Sequence, residues 1–94
     1  MGRKKILIPI YNVTITLWVG KCPNHLEDSR LGGFYPIDSV SCEVWVKDRT
    51  HLLHEAFHVT VWIMNEKGCT LTNESDEAYA YLLEYVYKNL LQKC

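Results

Sequence analysis

No run of apolar residues in this sequence approaches the ~20 that a membrane-spanning helix needs. The apolar stretch at 6–10, behind the basic triplet Arg3-Lys4-Lys5, is broken by Pro9 and passes straight into Tyr11-Asn12 with no small-residue cleavage site, so it does not read as a signal peptide. Ile6 stands where a myristoylation signal at Gly2 would need Ser or Thr. An excess of charge of either sign is missing too. Ten Lys and Arg stand against eleven Asp and Glu, a formal net charge of −1, which argues against a nucleic acid or an anionic membrane as partner. There is no internal repeat, low-complexity tract or linker. The four cysteines (Cys22, Cys42, Cys69, Cys94) include no C-x-x-C pair, and without an export signal they are expected to be reduced thiols in a cytoplasmic protein.

What is present is an ordinary globular composition, 48% apolar and 22% charged, over 94 residues: one domain, 1–94, near the size where a single core becomes marginal. The first third reads as β. Residues 5–11 form a compact Ile/Leu run that Pro9 demotes to an edge or bulged strand. Val13, Ile15, Leu17 and Val19 alternate with Thr14, Thr16 and Trp18, a period-two pattern, and Asn12 suits a tight reversal between the two runs. Residues 20–36 break both periods with Pro23-Asn24-His25 and Gly32-Gly33, leaving room for a short helical turn at 26–31. A third strand is predicted at 42–47, where Cys42, Val44 and Val46 alternate with Glu43, Trp45 and Lys47. The second half is helical. Asp48 or Thr50 can cap a helix that runs to about Lys67 and stops at Gly68. Asn73 with Asp76 resembles a capping arrangement for a second helix from about Ser75 to Gln92. The fold class is therefore α+β, a small, mostly antiparallel sheet followed by two packed helices.

The chemistry is concentrated in His54-Glu55-Ala56-Phe57-His58. Histidines four apart sit one turn above each other on a helix, where two imidazoles can share one zinc ion at Zn–N distances of about 2.0–2.1 Å. Glu55, beside them, can act as general base on a water at the metal's open position. A random arrangement of these residues would give the spacing about once in a hundred sequences, so the motif needs its helical context. That context is favourable. His51, His54, Glu55, His58 and Trp62 fall in one arc, and Leu52, Leu53, Ala56, Phe57, Val59, Val61, Ile63 and Met64 fill most of the rest, so the helix is expected to be buried nearly all round.

A third ligand is required, leaving the fourth position for water. Val61 and Met64 stand where the metzincin pattern needs Gly and His, which excludes that class. Eighteen residues separate His58 from Glu77, the spacing of the aminopeptidase-type gluzincins. Together with Asn73-Glu74-Ser75-Asp76-Glu77-Ala78-Tyr79-Ala80-Tyr81-Leu82, the motif resembles small zincin-like proteins of bacteriophages and mobile elements, and minimal gluzincin metallopeptidases. The resemblance implies a minimal zincin-like domain with Zn2+ held by His54, His58 and Glu77 and with Glu55 as base. Asp76, Glu74, Cys42, Cys69 and His51 remain alternatives for the third ligand. His51 is a candidate for orienting a ligand or binding substrate, and Tyr81 for donating to a developing oxyanion.

The expected function is zinc-dependent hydrolysis of a peptide or protein substrate, with the strand at 42–47 aligning that substrate. Two other readings stay open. One is a non-catalytic zincin-fold interaction protein in which zinc is structural and the surface binds a host or partner protein. The other is hydrolysis of a non-peptide amide.

Overall fold

The computed structural model describes residues 2–26 and 31–94. The predicted turn at 26–31 lies almost entirely outside them. Four strands, β1 (Gly2–Ile8), β2 (Val13–Val19), β3 (Gly32–Asp38) and β4 (Ser41–Val46), precede a short 3-10 turn (Arg49–His51) and two helices, α1 (Leu52–Glu66) and α2 (Asp76–Lys93). The α+β class and the two packed helices are as the sequence implies. The sheet itself is mixed, in the order β1-β2-β4-β3. The outer pairs β1/β2 and β3/β4 are antiparallel hairpins, but the central pair β2/β4 is parallel.

The first reversal follows the sequence closely. Asn12 takes φ 54, a left-handed conformation that asparagine tolerates better than most residues, and it directs β2 back along β1. β1 begins earlier than the expected run at 5–11 and ends before its close, so Gly2, Arg3 and Lys4 belong to the strand and residues 9–11 do not. β3 is a finding: Gly32-Gly33 and Pro36 read as breakers, yet they sit in an edge strand, the one sheet position where missing donors and small residues are tolerated.

One face of the sheet buries Ile6, Ile8, Val13, Ile15, Leu17, Cys42, Val44 and Val46. Against it lie Leu52, Ala56, Val59 and Ile63 of α1 and Tyr79, Leu82, Val86 and Leu90 of α2. Each fully buried aliphatic side chain contributes roughly 1.5–3 kcal/mol, so the alternating strand residues and one stripe of each helix hold the domain together. Asp48 accepts from the Thr50 backbone at 3.0 Å to start the helical segment, and Gly68, at φ 74, ends α1. The expected Asn73–Asp76 cap does not form. Ser75 is the N-cap residue of α2, and its hydroxyl bonds instead to the Thr70 carbonyl and the Thr72 backbone. No described helix is long and apolar enough to cross a membrane.

The opposite face of the sheet carries a polar latch. Trp18 Nε1 donates to Glu43 Oε1 at 2.7 Å, and His25 Nε2 lies 2.8 Å from the same oxygen. Trp45 Nε1 donates to the Gly20 carbonyl at 2.8 Å, fastening the loop after β2 across this face. Burial alone would push the Glu43 carboxyl up. The hydrogen bonds from His25 and Trp18, with the charges of His25 and Arg3, outweigh it and hold the group below the usual carboxylate range. A depressed folded value means the latch stabilises the fold above the unfolded carboxyl value of about 4.3 and loses that contribution as pH falls through the folded value. Glu43→Gln is therefore expected to lower the thermal midpoint at pH 7 and to flatten its decline below pH ~5, as read by circular dichroism melts across pH. An unchanged acid-side slope would show that the latch does not carry this dependence.

Candidate metal centre

α1 enters from the 3-10 turn, so the first histidine of the motif falls within the first turns of a regular helix. The i, i+4 spacing then stacks His54 and His58, with ring centroids 4.8 Å apart and Nε2 atoms 3.2 Å apart. Two nitrogens bound to one tetrahedral ion at about 2.05 Å would lie about 3.3 Å from each other, so the donor pair already has a chelating separation. The same contact is a hydrogen bond from one ring's N–H to the other's lone pair. Both histidines are exposed, and α1 is not buried all round as its composition implies. Leu53 and Phe57 are 53% and 46% exposed, because the sheet and α2 do not cover the helix all round.

Glu55 points elsewhere. It is 5% exposed and lies against the edge strand, where a Cβ on Gly32 would come within 3.2 Å of its Oε2 and 2.9 Å of the Trp45 carbonyl oxygen. That close approach is what glycine at 32 permits. Leu31, Gly32, His51, His54 and Glu55 line a cleft of about 260 Å³. His51 thus shares a cleft with His54 and Glu55. Burial raises the Glu55 carboxyl above its ordinary value, while the nearby His54, His58 and His51 charges pull the other way.

β3 borders the pair from the sheet side. Phe34 stacks on His58 at a centroid distance of 6.4 Å and an interplanar angle of 13°, and it also meets Trp62 at 5.7 Å. The Lys47 backbone donates to the Leu31 carbonyl at 2.9 Å, which fixes the alternation of the β3/β4 ladder. Given the register, Gly33 and Tyr35 turn their main-chain groups toward β4, and Gly32, Phe34 and Pro36 turn theirs to the outer edge. Pro36 has no N–H to offer, so Phe34 presents both a donor and an acceptor on the edge nearest the histidines. The predicted substrate strand at 42–47 is β4, which lies inside the sheet; the edge belongs to β3.

The structure does not bring Glu77 to the histidines. α1 continues eight residues past His58, two more turns or about 12 Å, before the chain reverses. Glu77 lies exposed in the first turn of α2, at the far end of the helix pair, and the α2 residue beside His54 and His58 is Leu83. Asp76 and Glu74 share that far end and are likewise exposed. Cys42 is buried in the core among aliphatic side chains, where desolvation, and then the charge of Glu43, push its thiol up to about 12. All four cysteines are free. Tyr81 lines a different groove, with Ile8, Ile10 and Tyr11. Among the described residues no three His, Cys, Asp or Glu side chains converge as a ready metal site. Two of the predicted ligands and the predicted base are adjacent, and the third ligand is not. The sequence reading passes over Gly32, Phe34 and Leu83, which shape the surroundings. Glu77→Ala is accordingly expected to change zinc affinity less than 3-fold, well short of the 10–100-fold typical even for residues that support a ligand. Competition with a chromogenic chelator reads this directly, and a large loss would restore Glu77 to the site.

Compared with protein-family models, curated proteins and solved structures, the chain finds no match, so the site stands on its own geometry.

Proposed function

We propose that this chain is a zinc-dependent peptide hydrolase in which His54 and His58 supply two of the three protein ligands a catalytic zinc needs and Glu55 is the general base; no third ligand joins them among the described residues. The observation that carries the proposal is the 3.2 Å separation of the two histidine Nε2 atoms, on the helix that also carries Glu55. Zinc held there would supply Lewis acidity and lower the pKa of a bound water toward 7. The chain's own residues supply the rest. Phe34 fixes the plane of the His58 ring by stacking, and its main-chain N–H and carbonyl, turned to the outer edge of β3, offer pairing to an extended peptide by strand addition. Glu55, packed against that edge, takes a proton from water and returns it to the leaving amine. The non-peptide amide alternative gains nothing from strand pairing at Phe34.

The exposure of both histidines also speaks against zinc as a structural staple, since the core closes without them. Untagged protein is expected to hold about one zinc per chain by elemental analysis. Chelation is expected to stop hydrolysis of a peptide mixture while moving the thermal midpoint by less than about 3 °C, in contrast to small domains that unfold without their metal. Absence of zinc after supplementation would remove the proposal. A collapse of the fold on chelation would favour the interaction-protein reading.

A further inference from the structure

The sheet has a second edge, on the side away from the histidine pair. β1 stands first in the order β1-β2-β4-β3, so its outer side meets no other strand among the described residues. The backbones of Thr14 and, just past β2, Gly20 donate to the Val40 and Val46 carbonyls, both at 2.9 Å. The even-numbered positions of β2 therefore turn their main-chain groups to β4, and the odd-numbered ones bond β1. By register those odd residues are the partners of Lys4, Ile6 and Ile8. Arg3, Lys5 and Leu7 are left with their N–H and carbonyl groups on the open edge. Pro36 interrupts β3, but β1 holds no proline.

A groove of about 310 Å³ adjoins the Ile8 end of this edge, with Ile8, Ile10 and Tyr11 on one wall and Ala78, Tyr81 and Tyr85 of α2 on the other. The packing of the helices directs it to the edge. α1 lies on β3 and β4, and α2 lies on β1. Leu83 marks the flank of α2 that meets α1. At 3.6 residues per turn, Tyr81 and Tyr85 stand about 160° round the helix from Leu83, on the flank directed to the outer side of β1. Ile10 and Tyr81 are 82% and 68% exposed there, and no charged residue among the described ones lines the groove.

We infer that the outer edge of β1 and this groove together dock an extended acidic segment of a partner protein, which carries one large apolar anchor. Its backbone pairs with Arg3, Lys5 and Leu7, and the anchor, beside Ile8, enters the groove. Charge complementarity selects the partner. Lys4 and Lys5 are exposed and have no ion-pair partner among the described residues, while Arg3 has the charge of Glu43 near it. A second copy of this chain fits poorly, because the two-fold register that pairs most of the edge sets Lys5 against Lys5, and like charges directly opposite are destabilising. A nucleic acid or a lipid surface could answer the charge but has no strand to pair with the main-chain groups. At about 3.3 Å per residue, Lys4 and Lys5 lie three to four residues from Ile8, which fixes the distance between anchor and acids. Antiparallel pairing, the more stable kind, puts the anchor N-terminal to the acids.

The test titrates acetyl-Phe-Thr-Val-Glu-Glu-Thr-amide into the chain and follows amide hydrogen exchange by NMR. Exchange at Lys5 and Leu7 is expected to slow at least 10-fold at saturation. Ile6 and Ile8, already bonded to β2, should not change. Replacing both glutamates of the peptide by lysine, or its phenylalanine by serine, is expected to weaken binding at least 10-fold. Lys5→Glu should remove the preference for the acidic peptide over the lysine one. Tyr81→Ser should weaken the phenylalanine peptide and leave the serine peptide as it was. Both residues are exposed, so neither variant threatens the fold, and each tests a different half of the site.

Protection at Lys5 and Leu7 that depends on both the acids and the anchor supports the docking site. Equal binding of all three peptides, or no protection at millimolar peptide, overturns it. Tighter binding of an oligothymidylate to the same residues would make the basic edge a nucleic-acid contact, and protection that rises with protein concentration alone would give the edge to a second copy. Either result overturns the proposal. None of these readouts involves zinc or the histidine pair, so the outcome is independent of the hydrolase reading.

Discussion

His58→Ala is expected to weaken zinc binding by on the order of 100-fold or more. The described residues bring only two nitrogen donors together, so losing either leaves a single exposed imidazole competing with buffer and water. Removing a direct ligand should exceed the 10–100-fold cost of removing a group that only orients one. Phe34→Leu provides the comparison. It removes the stacked ring that holds the His58 plane while keeping an apolar side chain under Trp62, and its effect on zinc should fall within that smaller range. Because His58 is exposed, the alanine variant should melt within a few degrees of the parent, so a loss of zinc cannot be blamed on unfolding. Isothermal titration with zinc, backed by chelator competition, measures both variants. Zinc binding by His58→Ala at parental affinity would detach the metal from this motif.

How much of this was legible in the sequence varies from residue to residue. The β1/β2 hairpin could be read because Asn12 sits between two strongly β-patterned runs, and α1 because Asp48 and Gly68 mark both its ends. β3 was hidden. Its signals are glycine and proline, which mean turn in most contexts, and only the pairing with β4 makes them an edge strand. A sequence reading without β3 gives the substrate edge to β4 and has no sign of the close approach of Gly32 to Glu55.

The misplacement of Glu77 has another cause. Linear spacing matched a pattern, but the predicted boundaries of both helices already implied that α1 runs on well past His58 before turning. At 1.5 Å per residue that rise carries the first turn of α2 away from the motif, so the helix lengths held information that the spacing overrode. The exposed flank of α1 was unreadable for a different reason. An all-round apolar helix looks buried until it is known which stripe the sheet and α2 cover, and the uncovered stripe here holds Leu53, His54, Phe57 and His58.

Glu55→Gln is expected to lower kcat by on the order of 10²–10⁴-fold, the range that positioned proton transfer contributes, with zinc affinity unchanged. The two parts of that expectation come from different features of the site. Unchanged affinity follows from the helix geometry: Glu55 is directed to the Gly32 edge, while the donor nitrogens that face each other belong to His54 and His58. The rate loss follows from chemistry, since an amide of the same size fills the same cleft with Leu31, Gly32, His51 and His54 but cannot accept a proton from water. KM for a peptide should change little, because strand pairing with Phe34 does not involve the carboxylate, and a fall in kcat alone is the mark of an interaction made in the transition state.

His51→Ala makes a useful second variant. It removes a neighbour of Glu55 in the same cleft without touching the zinc pair, so its effect on kcat should be smaller and its effect on zinc close to nil. If Glu55→Gln loses its zinc, the glutamate is a ligand and the division of labour along α1 is wrong. If it retains both zinc and full activity, the carboxylate serves only to pack the edge strand, and the proton must be taken by another group.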